Sequence, residues 1–164
     1  MLETKRTFIR PVTVDDALDV YAYASNKIVS DMAGYKAHES VEETKSIIDT
    51  VLKLDSFAIV YKETNKVIGT ISLQEKLKEI YEVGYSLAIE YWDQGIMTEV
   101  LKAVCDYAFS NNIATEIDAG CFIDNIRSEK VLLKCGFTYV GINKNDYRNY
   151  DGKKVDLKRF RLLK

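Results

Sequence analysis

The sequence predicts an α/β (α+β) fold in which strands and helices interleave, and three observations carry that expectation. From Tyr81 to Ile89, bulky apolar residues alternate with small or polar ones, the period of a strand with two unlike faces. Two boxes, Thr13 with Asp16 and Ser40 with Glu43, each open a segment whose apolar residues recur at helical spacing. Asp151-Gly152 is a strong hairpin signal inside the β-rich tail.

Arg6 to Val12 reads as the first strand, closed by Pro11 and the Thr13 cap. The helix that follows reaches about Ala24 on a stripe of Ala17, Leu18, Val20, Tyr21 and Ala24. Ser40 opens a second helix with Ile47, Ile48, Val51 and Leu52 on one side. Ser56–Tyr61 and Val67–Leu73 are expected as a hairpin around Thr64-Asn65-Lys66. A charged connection, Gln74 to Glu79, then leads into the strand at Tyr81.

After Gly95 a helix carries Val100, Leu101, Val104, Cys105, Ala108 and Phe109 inward and stops near Asn111-Asn112. Ile117–Ile123 is a strand, and a short helix spans Asn125 to Cys135 with Gly136 as its left-handed cap and Phe137 as the accompanying apolar contact. Thr138–Ile142 and Tyr147–Leu163 supply the last two strands, with a change of apolar parity between Leu157 and Phe160 that suggests a bulge. The predicted order is β-α-α-β-β-β-α-β-α-β-β.

With 164 residues, 47% hydrophobic and 29% charged, the chain is expected to form one domain over 1–164 and not a disordered segment. A net charge of −2 without a long basic run disfavours a nucleic-acid partner. No window is apolar for the roughly 20 residues of a membrane span, and the start lacks a signal-peptide core, so a cytoplasmic location without membrane partners is expected. Cys105, Cys121 and Cys135 lack paired spacing and His38 is the single histidine, so no metal is expected.

Two stretches carry chemistry. Glu82-Val83-Gly84-Tyr85 leads to Trp92-Asp93-Gln94-Gly95-Ile96-Met97-Thr98-Glu99, a strand followed by a glycine-bearing turn that opens a helix. Unpaired N–H groups and the positive end of the helix dipole converge there, which suits a pyrophosphate. The other stretch is Asn125-Ile126-Arg127-Ser128 with Lys134-Cys135-Gly136-Phe137.

Over nearly the whole chain these stretches resemble the GNAT (Gcn5-related) N-acetyltransferases, particularly the ribosomal-protein N-terminal acetyltransferase (Rim-type) branch. The resemblance implies a mixed, mostly antiparallel twisted sheet of six to seven strands flanked by about four helices. Two central strands splay apart in that fold, and the pantetheine arm of acetyl-CoA lies in the gap. It further implies acetyl transfer to a primary amine, either a small molecule or a protein or peptide N-terminus, by a monomer or homodimer. The alternative is a silent CoA-binding sensor or interaction module. Trp92 and Met97 depart from the wider family's glycine-loop pattern.

By that resemblance the amides of Gln94, Gly95, Ile96, Met97 and Thr98 bind coenzyme, with Asn125 on its arm and a backbone N–H near Tyr85, Ser86 or Leu87 on the oxyanion. Read alone, Gly95 is a tight turn, and Asn125 is a helix cap. Glu82, otherwise a solvated strand residue, is placed as the general base, directly or through water. Leu132 stands where many relatives carry an acidic tyrosine, which makes Ser128 the candidate acid. Lys130 and Lys134 are second-tier candidates for the 3′-phosphate. His38, Tyr147, Arg148, Tyr150 and Asp156 hold that rank for the acceptor.

Overall fold

Eight strands form one sheet in the computed structural model, which describes residues 1–164. They are β1 (Leu2–Glu3), β2 (Thr7–Pro11), β3 (Ser56–Tyr61), β4 (Lys66–Leu77), β5 (Ile80–Leu87), β6 (Glu116–Phe122), β7 (Thr138–Arg148) and β8 (Lys154–Leu163). Their spatial order is β1-β2-β3-β4-β5-β6-β8-β7, and only the β5–β6 pair is parallel. The class is as the sequence predicts, and the mostly antiparallel sheet is as the family resemblance implies.

Five helices cover the sheet: α1 (Ala17–Ala24), α2 (Lys27–Ala33), α3 (Val41–Thr50), α4 (Ile96–Ser110) and α5 (Ile126–Lys134). Val20, Tyr23 and Ala24 of α1 and Ile48 of α3 pack with Ala58, Val60 and Val67 in one core. Val100, Leu101, Val104 and Leu132, from α4 and α5, pack with Ile71, Val83, Ile117 and Phe160 in the other. The sheet is therefore apolar on both faces, and each core excludes water from one of them.

The count rises above expectation by two short elements. β1 is two residues long and has no period to read; it forms because Leu2 and Glu3 pair with Ile9 and Phe8. α2 is bracketed by Asn26, whose Oδ1 accepts from the Ile28 N–H at 2.9 Å, and by Gly34 at φ 86°. That Asn-to-Gly bracket is a legible signal for a short helix.

Three boundaries also move. The charged run after Leu73 continues β4, pairing as far as Leu77 with Ile80, because its side chains leave both cores and project into solvent. Ile89 falls in a 3₁₀ turn, Ile89–Tyr91, and β5 ends at Leu87. The irregularity expected between Leu157 and Phe160 belongs to the neighbour: β8 runs unbroken along β6, while β7 carries the extra residues, around Val140 and between Asn143 and Tyr147.

Candidate active site

Parallel pairing between β5 and β6 is short. It runs from Ile80 with Glu116 to Val83 with Ala119 and stops. Gly84–Leu87 remain bonded to β4 and Gly120–Phe122 to β8, so the two strands part and leave facing edges. The gap opens into a cavity of about 1020 Å³ that runs from the start of α4 to the opposite face of the sheet.

At one end stands the turn before α4. Gly95 is its N-cap at φ 78°, a left-handed conformation that strains any residue with a Cβ. The N–H groups from Gly95 to Thr98 have no backbone acceptor, and these four residues line the cavity. The Ile96 and Met97 side chains turn into the core, so the bulk of Met97 does not obstruct the turn. Trp92 is held by its Nε1–H, which donates to the Leu87 carbonyl at 2.7 Å. Gln94 faces outward: its side chain donates to the Glu90 carbonyl, and its own carbonyl accepts from Arg6 Nη2 at 2.8 Å.

Along the gap, Asn125 Oδ1 caps α5 by accepting from the Ser128 N–H at 3.1 Å, while its Nδ2 donates to the Met32 carbonyl at 3.1 Å. Ser128 Oγ lies 2.9 Å from the Tyr85 hydroxyl, which also donates to the Ser128 carbonyl at 3.3 Å. Burial pushes the Tyr85 hydroxyl well above its ordinary value, so it stays protonated. Leu132 is fully buried, consistent with its core role.

Burial also raises the thiols, to about 12 for Cys105 and about 11 for Cys121 and Cys135. They remain protonated near neutral pH and are poor nucleophiles.

The other face of β5 carries Glu82, Gly84 and Ser86. Glu82 Oε1 accepts from Arg159 Nη1 at 2.7 Å, and Oε2 pairs with Lys76 Nζ at 3.1 Å. Arg159 also lies 3.6 Å from Asp146. Arg159 is opposite Gly120 on β6, where a Cβ would stand 2.7 Å from Nη1, so the absence of a side chain on Gly120 clears the path to Glu82. Ser86 is buried and shares a 3.2 Å hydrogen bond with Tyr35.

Met32, Val51, Leu52 and Leu54 make the apolar part of this mouth, with Asp55 and Asp146 beside them. Sequence reasoning missed Arg159, Lys76 and Tyr35. The one available signal was Gly120 inside a strand, which marks a close approach by something else.

Lys130, Lys134 and Tyr147 line the cavity; His38, Arg148, Tyr150 and Asp156 do not. His38 is buried against Thr44 with its ring pKa lowered by burial, and Tyr147 donates to the Gly34 carbonyl at 2.6 Å. Among the His, Cys, Asp and Glu side chains no group of three gathers to hold a metal. No helix is long and apolar enough to cross a membrane.

A parted pair of strands beside a helix-opening turn is the geometry that the resemblance to the GNAT family implies, and comparison with known proteins supports that kinship. The sequence profile of the acetyltransferase (GNAT) domain matches residues 6–138. The chain belongs to the GNAT family. The uncharacterized N-acetyltransferase YoaA of Bacillus subtilis (strain 168) is 32% identical over 173 residues, covering 100% of this chain and 97% of that protein. The ribosomal-protein-serine acetyltransferase of Escherichia coli (strain K12) is 28% identical over 110 residues, 63% of this chain and 61% of that one. Among solved structures, the microcin C7 self-immunity acetyltransferase MccE, in complex with acetyl-CoA and AMP, has a TM-score of 0.86 at 19% identity, covering 98% of this chain and 93% of its own. This GNAT chain is an acetyltransferase.

Proposed function

We propose that this GNAT acetyltransferase, acting as one domain over residues 1–164, moves the acetyl group of acetyl-CoA to a primary amine by direct attack in a ternary complex. The observation that carries the reading is one cavity with two unlike ends, joined through the parted strands. At one end are the free amides of Gly95–Thr98; at the other is Glu82. The residues fit the coenzyme: four unpaired N–H groups at a helix start suit a pyrophosphate, Lys130 and Lys134 line the same cavity, and the gap between β5 and β6 admits an extended arm. That a solved structural neighbour binds acetyl-CoA supports the same fit.

Acetyl-CoA brings an activated thioester, and the chain supplies position and proton traffic. The free edge of β5 from Gly84 to Leu87 offers backbone N–H groups to an oxyanion in the gap. Glu82, on the acceptor side, takes the amine proton directly or through water. Ser128, on the coenzyme side, gives its hydroxyl proton toward the departing sulfur. Buried, protonated thiols argue against an acetylated cysteine as intermediate.

The acceptor end combines apolar side chains with three carboxylates, of which Glu82 is paired with Arg159 and Lys76, Asp146 is paired with Arg159, and Asp55 has no cationic partner, a surface that suits an amine carried on a partly apolar chain. The kinship with a ribosomal-protein-serine acetyltransferase supports a protein acceptor. The test is amine-dependent release of free thiol from acetyl-CoA, screened over polyamines, amino acids and peptides with free N-termini. Thiol release with at least one class is expected. Absence of acetyl-CoA binding by calorimetry at high micromolar ligand would overturn the reading, and binding without turnover would leave the silent module.

A further inference from the structure

Arg6 lies outside the cavity, on the bend between β1 and β2, yet its guanidinium stands directly behind the turn at Gly95. Its Nη2 donates to the Gln94 carbonyl at 2.8 Å and to Glu99 Oε1 at 2.8 Å, and its Nε donates to the same Glu99 oxygen at 3.1 Å. A Cβ built on Gly95 would stand 3.6 Å from Nη2. The backbone of Arg6 is itself fixed, with its carbonyl accepting from the Lys62 N–H at 3.0 Å.

The Gln94–Gly95 peptide is trans, so its C=O and N–H point in opposite directions. Gly95 lines the cavity, whereas Gln94 and Arg6 do not. A guanidinium that holds the Gln94 carbonyl on the outer side therefore holds the Gly95 N–H on the inner side. Glu99 adds a second constraint. It is in the first turn of α4, where its charge would repel an anion, and its Oε2 is buried with no partner. Arg6 is its one salt-bridge partner.

We infer that Arg6 is a positioning residue for the pyrophosphate: it turns the Gly95 amide into the cavity and neutralises Glu99, without touching the ligand. The inference rests on the proposed coenzyme site. Neither stretch that carries the family likeness contains Arg6, which reaches the turn from 88 residues away.

The experiment compares kcat/KM for S-acetyl-dephospho-CoA, which keeps the pyrophosphate, with that for S-acetylpantetheine, which lacks it. Three proteins are used: wild type, Arg6→Lys, and the double variant Arg6→Met with Glu99→Gln, which leaves no buried charge stranded. Thermal melts establish that each is folded.

The preference for the pyrophosphate-bearing donor should fall by about tenfold in both variants, roughly the loss of one charge-assisted hydrogen bond. A general loosening of the fold would lower both donors alike and leave the ratio in place. Wild type with no preference would refute the pyrophosphate site and this inference together. A preference that survives in folded variants would overturn the role of Arg6 alone.

Discussion

The Tyr85 hydroxyl is 2.9 Å from Ser128 Oγ and 3.3 Å from the Ser128 carbonyl oxygen. A carbonyl only accepts, so a Tyr85 proton directed at Ser128 satisfies both contacts and leaves the serine proton free to turn toward the gap. Because burial keeps Tyr85 protonated, it orients Ser128 and does not ionise itself.

Ser128→Ala should therefore lower kcat by about tenfold, below the usual range for general acids because a thiolate leaves readily, while the Kd for acetyl-CoA shifts less. Tyr85→Phe should give a smaller loss of the same kind. In a double-mutant cycle the two losses should not add, since one acts through the other. Additive losses would show that the two residues act independently, and losses confined to Kd would place both in binding.

Glu82→Gln keeps the shape and removes the proton acceptor, so turnover near neutral pH should fall by about 10²–10⁴-fold with little change in coenzyme affinity. Its rate should recover in part as pH rises, because more of the amine then arrives neutral. A pH–rate profile matching wild type would remove Glu82 from the mechanism.

Gly120→Val places side-chain atoms where the Arg159 guanidinium now passes, 2.7 Å from the built Cβ. The far end of a flexible arginine moves at little cost, and Leu157 Cδ1, 3.0 Å from the same point, must give by a few tenths of an ångström, so the fold should tolerate the change while the Arg159–Glu82 pair breaks. We expect altered KM for the amine and lower kcat in steady-state kinetics. A variant with unchanged parameters would show that Arg159 is a bystander at the acceptor end.

Replacing Gly95 by Leu forces a β-carbon into a left-handed turn, at a cost of roughly 1–2 kcal/mol. The turn should relax away from its present geometry. Acetyl-CoA should raise the Tm of wild type by linkage and raise that of the variant far less. Equal ligand-induced shifts in a thermal melt would contradict the assignment of the turn.

Asp16 ties the end of β2 to the start of α1. Burial by itself would push its carboxyl up, but hydrogen bonds from Arg10 at 2.7 and 2.8 Å, the Thr13 N–H at 2.9 Å and the Arg10 charge outweigh burial and hold it below its ordinary value. A carboxyl depressed in the folded state stabilises above its unfolded pKa, near ~4, and that contribution is lost as pH falls through the folded value. At pH 7, Asp16→Asn should be less stable than wild type by roughly 1–3 kcal/mol. The gap should narrow on acidification below about pH 4, measured by denaturant titration. A gap independent of pH would mean that packing, not charge, holds this corner.

What the sequence determined by itself is local. The alternation from Tyr81, the Ser40 and Asn125 caps, and Gly95 before an apolar helix each depend on residues a few positions apart, and each marks an element that formed. The glycine turn could be named from the strand-to-helix switch around it, whereas Glu82 and Ser128 could be named only because the stretches that hold them resemble the GNAT family. Tertiary structure alone decided what these residues meet. Arg159 reaches Glu82 across 77 residues, Tyr85 reaches Ser128 across 43, and Arg6 reaches Gln94 across 88. Those meetings follow from strand register, from the end of β5–β6 pairing after Val83, and from the missing side chain at Gly120. None of these leaves a periodic trace in the chain, since a side-chain contact between distant strands is fixed by the packing of both cores at once and not by the residues beside it.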